Sequence, residues 1–474
     1  MVWRRHVIPL ALWPTLLLLA LYCAIYVQFA SQLASFPFDL DQGEGYDAWS
    51  GWLINLGQLP YTSNASFPYY SSNYPPLWSY LVSIPMAWVG PGLGAARLVS
   101  TLSTLGTAVV LGLSARRLAG NTLAGVLAAG FFLASPYVFH TTPLARVNAT
   151  ALFAAVTGLW LIERPTRWRV ALASLAFLAA LFTKQTSIDA VAAGIAWLAW
   201  RHWRWGLAAA AGIGGVGLVG LAALVVATGG AFWLNVVAGN ANPFDGQQLT
   251  AYLLNFGLLH CVLLAMAAAQ AWRTRATSPW PWYLVSASVA ALGVAKWGAG
   301  ESYFLGAIAA ACVLAGVWAA RHTRVSVCAA LVLQMALLSH GALSEVLAFL
   351  PDRGPQGVLL GHAPGESDRL AAERLVKQIQ GAHGPALSED PSFVVAAGGG
   401  VVGNATHLRN LYQAGLWDPT PLVNDLQARR YAIVVLNAEL YPEPVLAAIG
   451  RFYFVDRAVR INGATYHVFL PGSD

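Results

Sequence analysis

The sequence predicts a polytopic α-helical membrane protein with a small C-terminal α/β domain, and three observations predict it. Of 474 residues, 57% are hydrophobic and 10% charged, against roughly 45–50% and 25% in an ordinary globular domain. The apolar residues arrive in runs of about 17–24, the length a helix needs to cross the hydrocarbon layer. From residue 346 onward Asp, Glu, His, Asn and Gly return at globular frequencies. The predicted division is therefore 1–345 in the membrane and 346–474 outside it.

The first run, 7–29, follows Arg4-Arg5. It is too long for a secretory leader and lacks a small-residue cleavage site, so it reads as a retained first span. The later breaks with clustered positive charge are Arg116-Arg117, Arg164 with Arg167 and Arg169, Arg201 with Arg204, Arg273 with Arg275, and Arg321 with Arg324. Placing them all in the cytoplasm gives eleven spans: 7–29, 97–115, 121–139, 146–162, 168–183, 186–200, 205–228, 251–271, 280–297, 303–320 and 325–345. The N-terminus is then cytoplasmic and the C-terminal domain extracytoplasmic. The apolar stretch 76–91 would break this alternation if it spanned, and it holds Pro85 and Pro91. It reads as an interfacial or re-entrant helix within a first outer loop of 30–96.

In the C-terminal domain, 365–381 has helical periodicity, while 393–397, 431–437 and 465–470 read as strands. No internal repeat is visible. The net charge of +6 sits between apolar runs, so it reports topology and excludes a nucleic-acid groove. Cys23, Cys261, Cys312 and Cys328 all lie inside apolar runs and read as small hydrophobes rather than a disulfide or metal framework.

Ionisable residues are costly in such a protein, so their clustering points to function. Asp39, Asp41, Glu44 and Asp47 follow the first span directly. A solvated acidic linker is the plain reading. However, 46–54 is amphipathic, which holds Glu44 at the start of an interfacial helix. A carboxylate fixed there can deprotonate a hydroxyl or amine, or hold a divalent cation that binds a lipid phosphate. A second group recurs at outer helix ends: Arg97; His140, Arg146 and Asn148; Lys184, Gln185 and Asp189; Lys296, Glu301 and Tyr303. Singly these read as snorkelling residues; together they form a cationic ring suited to an anionic headgroup or a phosphate leaving group. The Asn-x-Ser/Thr triplets at Asn64, Asn148 and Asn404 carry no weight, because such sequons recur by chance. Gly398-Gly399-Gly400 reads as a turn.

The acidic motif, Asn73-Tyr74-Pro75-Pro76-Leu77, Arg97, Arg146-Val147-Asn148, Phe182-Thr183-Lys184-Gln185-Thr186 and the run 297–304 resemble the GT-C membrane glycosyltransferases over about residues 5–310. The resemblance is to the family 39-like group, which includes protein O-mannosyltransferases and aminoarabinose transferases. It implies transfer of a sugar from a polyprenyl-phosphate carrier to a lipid, glycan or protein acceptor outside the cytoplasm, with inversion, in the plasma or inner membrane. The family's Asp-Glu pair becomes Gly43-Glu44 here, so Glu44 inherits the role of base and Asp41 supplies the missing acid. Arg97, Lys184 and Arg146 then hold the carrier phosphate, and Tyr46, Tyr74, Gln185, Glu301 and Tyr303 contact substrate. Asn73 stands where many relatives have Lys, and Asn148 where an Asp is common. No nucleotide fold is required, and a divalent cation is the one cofactor the acidic loop suggests. A secondary transporter and an inactive scaffold that binds envelope glycans are the rival readings. The first predicts midplane charges and inverted repeats, whereas the charges here lie near helix ends.

Overall fold

The computed structural model describes residues 9–240, 242–339 and 363–472. The membrane part begins with α1 (Trp13–Ser35), α2 (Glu44–Asn55), α3 (Leu77–Val89) and α4 (Leu93–Ala119). It continues through α5 (Thr122–Ala134), α6 (Pro136–Thr141), α7 (Asn148–Ile162), α8 (Arg167–Thr183), α9 (Ile188–Arg201) and α10 (Trp203–Ala227). The last helices of this part are α11 (Gly246–Leu259), α12 (Cys261–Thr274), α13 (Trp280–Ala291), α14 (Leu305–Arg321) and α15 (Val325–Leu338). Among the described residues, four helical segments are long and apolar enough to cross a bilayer: Leu10–Ser35, Leu93–Ala119, Trp203–Ala227 and Glu301–Arg321.

Helices lie over the described parts of the predicted apolar runs, and two of those runs are sharply broken. The 121–139 run breaks at Ser135-Pro136, where proline cannot continue the hydrogen-bond ladder. The 251–271 run bends by 81° between α11 and α12. There the ring of His260 meets Ser135 Oγ at 2.9 Å and the Phe256 carbonyl at 3.1 Å. The stretch 76–91 forms the short α3, which packs on α2 and α4 and exposes Tyr80, Ile84 and Trp88 along one stripe.

Small residues set the helix spacing. A Cβ on Gly125 would lie 2.6 Å from the Gly112 carbonyl oxygen, and one on Gly316 would lie 2.7 Å from that of Ala124. Backbones can approach this closely only where side chains are absent. This seats α14 at the centre of the bundle, buried along most of its length.

The C-terminal unit comprises α16 (Glu366–Gly381), β1 (Ala386–Ser388), α17 (Pro391–Ala396), α18 (Ala405–Gln413), α19 (Thr420–Gln427), β2 (Ile433–Leu436), α20 (Glu443–Phe452), β3 (Tyr453–Ile461) and β4 (Ala464–Pro471). The sheet runs β1-β2-β4-β3, with β1 and β2 parallel and the other pairs antiparallel. Strand β2 is buried on both faces and alternates between two cores. Val434 and Leu436 pack with residues of α18, α19 and α20, whereas Ile433 and Val435 pack with α16 and α17. The expected strand at 393–397 is instead helix α17. A short apolar run has no decisive period, and Pro391 pre-sets the first helical turn. The 345/346 boundary lies outside the described residues.

This unit is bound to the first loop by shared core and buried hydrogen bonds. Phe36 and Phe38, just past α1, are buried among Leu375, Phe393 and Val468. The Asp39 carboxylate accepts from Gly45 N at 2.6 Å and Ser392 N at 3.0 Å, while Asp39 N donates to Ser392 Oγ at 3.0 Å. Truncating a buried phenylalanine costs about 3–5 kcal/mol. Phe38→Ala is therefore expected to loosen the C-terminal unit, measured as faster limited proteolysis within 363–472 while cleavage of the helical bundle is unchanged.

Candidate functional site

Helix α2 opens on Glu44, whose side chain has no solvent exposure. Its carboxylate takes a two-pronged grip from Arg97, with Nε 2.8 Å from Oε1 and Nη2 2.7 Å from Oε2. It also accepts from Ala145 N at 2.7 Å and Leu40 N at 2.9 Å. Arg97 is equally enclosed. Nη1 donates to the carbonyls of Leu33 (2.7 Å) and Phe36 (2.5 Å), and Nη2 to that of Phe38 (2.8 Å). Burial alone would raise the Glu44 pKa, but the Arg97 charge and the converging N–H donors hold it below the usual carboxylate range.

One helical turn further on, Asp47 faces a cavity of about 300 Å³ between the bundle and the C-terminal unit. Its carboxyl is pushed up to about 7, chiefly by burial; Arg146 pulls the other way and Asp41 adds to the rise. The Arg146 guanidinium stands between the two aspartates, with Nε 3.1 Å from Asp47 and Nη1 3.2 Å from Asp41. Burial would lower its pKa, but the two carboxylates carry it well above the ordinary value, so it stays charged. A Cβ on Gly43 would fall 1.1 Å from Arg146 Nη1. The absent side chain thus makes the space that the guanidinium fills.

Across the cavity, Lys184 Nζ donates to Asn148 Oδ1 at 2.7 Å and lies 4.9 Å from the centre of the Tyr303 ring. Burial, reinforced by the nearby Arg146 charge, pushes the Lys184 pKa down to about 8. Lys296, Trp297, Asn73, Tyr74, Gln185, Gln42, Asn240 and Asn242 are also part of the membrane-side lining. The C-terminal unit contributes Asn404, Thr406, His407, Asn410 and Leu440. The Asn404 side chain caps α18 by accepting from His407 N at 3.1 Å. Burial pushes the His407 pKa down to about 4.

No protein-family model and no curated protein matches the chain. Among solved structures, ArnT from Cupriavidus metallidurans bound to undecaprenyl phosphate superposes with a TM-score of 0.68, covering 97% of this chain and 99% of that one at 14% identity. Its apo state gives 0.67 at 15% identity, with 96% and 99% covered. The chain has the GT-C fold. Archaeal oligosaccharyltransferase AglB from Archaeoglobus fulgidus gives 0.46 at 12% identity, over 94% of this chain and 74% of its own.

Within this fold the expected site residues divide. Asp41, Tyr74, Arg146, Lys184, Gln185 and Tyr303 all line the cavity. Glu44 and Arg97 do not; their ion pair together with the surrounding backbone groups takes up every Arg97 N–H and encloses the Glu44 carboxylate. Tyr46 is also buried away from the cavity, donating to the Ser388 carbonyl at 3.3 Å and accepting from Ala405 N at 3.4 Å. Glu301 is not part of the lining and lies 3.6 Å from His140. Arg146 faces the cavity but is held by carboxylates and, at 3.4 Å, by Tyr74. In the acidic loop the guanidinium stands between the Asp41 and Asp47 carboxylates. Among the described residues no three His, Cys, Asp or Glu side chains gather to hold a metal ion.

The C-terminal lining residues carry no charge or motif that marks them as lining in the sequence. Asn404-Ala405-Thr406 was legible as a sequon, whereas its structural meaning is a helix cap that aims α18 at the cavity. Removing one partner of a buried ion pair costs about 3–5 kcal/mol, because the other charge is left uncompensated. Glu44→Ala is therefore expected to lower the thermal unfolding temperature in detergent sharply, and Glu44→Ala/Arg97→Met by less than the sum of the two single changes.

Proposed function

We propose that this protein transfers a sugar from a polyprenyl-phosphate carrier to an acceptor on the extracytoplasmic side of the plasma or inner membrane, with inversion at the anomeric carbon. The observation that carries the reading is the composition of the cavity between the bundle and the C-terminal unit: Asp47, with a carboxyl pKa of about 7, shares it with Lys184 and Lys296. The fold likeness to ArnT, which was solved with undecaprenyl phosphate, supports a lipid-phosphate donor.

On this reading the acceptor oxygen or nitrogen attacks the anomeric carbon as the bond from that carbon to the phosphate oxygen breaks. Asp47 takes the acceptor's proton; a base whose pKa lies near the working pH suits this step. Lys184 and Lys296 receive the charge that builds on the departing phosphate. Arg146 is a positioning residue that fixes Asp47 and Asp41 in the cavity wall. Asp41, more open to solvent than Asp47, faces the acceptor. Tyr74, Gln185 and Tyr303 contact substrate. Glu44 and Arg97 act structurally, so the base passes from the first residue of α2 to a residue one turn along it. The charge-derived topology, with the N-terminus cytoplasmic and 346–474 extracytoplasmic, puts the cavity on the outer side, where α3 rests at the interface.

The test uses purified full-length protein in lipid nanodiscs with a panel of undecaprenyl-phosphate-linked sugars and a membrane-lipid extract as acceptor. Loss of a general base costs roughly 10²–10⁴-fold. Asp47→Asn should thus slow carrier consumption by about that factor while leaving carrier affinity within a few fold. Unchanged consumption in that variant would remove Asp47 from the chemistry.

A further inference from the structure

Lys184 lines two spaces. One is the cavity of about 300 Å³ described above; the other is a chamber of about 60 Å³ among α7, α9, α13 and the start of α14. Asp189 and Tyr283 line the chamber and not the larger cavity. The Asp189 carboxylate accepts from Ala190 N through Oδ1 at 2.7 Å. A Cβ on Gly306 would stand 3.2 Å from Asp189 Oδ2 and 2.6 Å from the Tyr283 hydroxyl oxygen. The glycine therefore leaves open the point on which carboxylate and phenol converge, and a chamber of this size and polarity admits water.

The lysine needs a counter-charge, and its direct contacts supply none. Nζ donates to Asn148 Oδ1 at 2.7 Å and sits 4.9 Å from the centre of the Tyr303 ring. Asp41 and Asp47 are each paired with Arg146, at 3.2 and 3.1 Å. Among the described residues, neither Asp189 nor Lys184 joins a direct ion pair, so Asp189 acts on the ammonium across the chamber. With Asp47 it opposes the push that burial and Arg146 exert on Lys184. Asp41, Tyr74, Lys296 and His407 are the other titratable groups of the larger cavity. An opposite charge in a buried site favours the charged form.

We propose, resting on the carrier-linked reading above, that Asp189 is a positioning residue for Lys184: its carboxylate, acting across the chamber, keeps the ammonium charged while that ammonium holds the carrier phosphate. Its place outside the larger cavity matters. A carboxylate facing the phosphate would repel it, whereas one that reaches Lys184 from the chamber supports the charge without touching the ligand. The Asn148 amide orients the lysine and adds no charge of its own.

The test is equilibrium binding of bare undecaprenyl phosphate to the full-length protein in nanodiscs, read between about pH 6 and about pH 10. Wild-type affinity should fall as pH rises through about 8, and Lys184→Gln should lack that step. Removing the Asp189 charge lowers the pH at which Lys184 gives up its proton. Asp189→Asn and Asp189→Ser should therefore each bring the step down by about one pH unit, with affinity at about pH 6 within a few fold of wild type. Asn148→Asp added to Asp189→Asn sets a carboxylate beside the same ammonium. It should return the step to its wild-type position or above, which a purely structural role for Asp189 would not allow. A step that stays in place in either neutral variant, loss of binding at every pH in both, or no recovery with Asn148→Asp overturns the inference. No binding by wild-type protein, or a wild-type step that survives in Lys184→Gln, overturns the carrier reading or the part of Lys184 in it instead.

Discussion

The Glu44–Arg97 ion pair is the constraint from which the cavity wall follows. Arg97 spends its guanidinium on two kinds of partner: the carboxylate that begins α2 and the carbonyls that end α1. The Leu33 carbonyl also accepts from Phe36 N at 3.0 Å, and those of Phe36 and Phe38 lie just past the helix. One buried cation therefore terminates α1, directs Phe36 and Phe38 toward the C-terminal core, and fixes the start of α2. The Ala145 N–H on Glu44 locks the segment that carries Arg146 to the same point. With α2 fixed at its first residue, Asp47 must emerge one turn later, next to Arg146. A charge pair this deep is costly to form, and it holds only because nearly every donor and lone pair is satisfied.

The cavity itself is divided by chemistry. The charged groups all come from the membrane part, and the C-terminal unit closes it with amides, a hydroxyl and a neutral imidazole. Arg146 neutralises the pair of aspartates in part, which keeps Asp47 titratable near neutrality rather than driving it far upward. Lys184, stripped of water beside Arg146, is moved in the opposite direction. Burial thus brings a carboxyl and an amine in one space toward neutrality from opposite sides, the range in which a proposed general base or acid works best.

The class of the protein, the acidic loop, the gathering of Lys184, Arg146 and Lys296 from the larger set of helix-end residues, and the short helix at 76–91 were legible in the sequence, because run length and charge placement follow directly from the cost of polar groups in lipid. Which carboxylate faces the substrate was not legible. Glu44 and Asp47 lie three residues apart on one helix, and only the location of Arg97, 53 positions further along the chain, decides which of them is consumed structurally. Gly43 looked like a lost acid. In the structure it is the space that admits Arg146, a long-range contact with no local signal. The same holds for Phe393, whose apolar run suits a strand or a helix until Pro391 and the neighbouring core decide. The wall formed by α18 was hidden because Asn404 caps a helix that is visible only once the C-terminal unit is docked.

The pH dependence of kcat/KM for carrier consumption tests the central claim most directly. Asp47 accepts a proton only when ionised, so activity must rise as pH passes upward through about 7. In the proposed reaction Lys184 would stabilise phosphate only when protonated, so activity should fall again above about 8. The account predicts a narrow bell whose acidic limb disappears from the residual activity of Asp47→Asn. A profile that is flat between about pH 5 and about pH 9, or an acidic limb that survives in that variant, would contradict it.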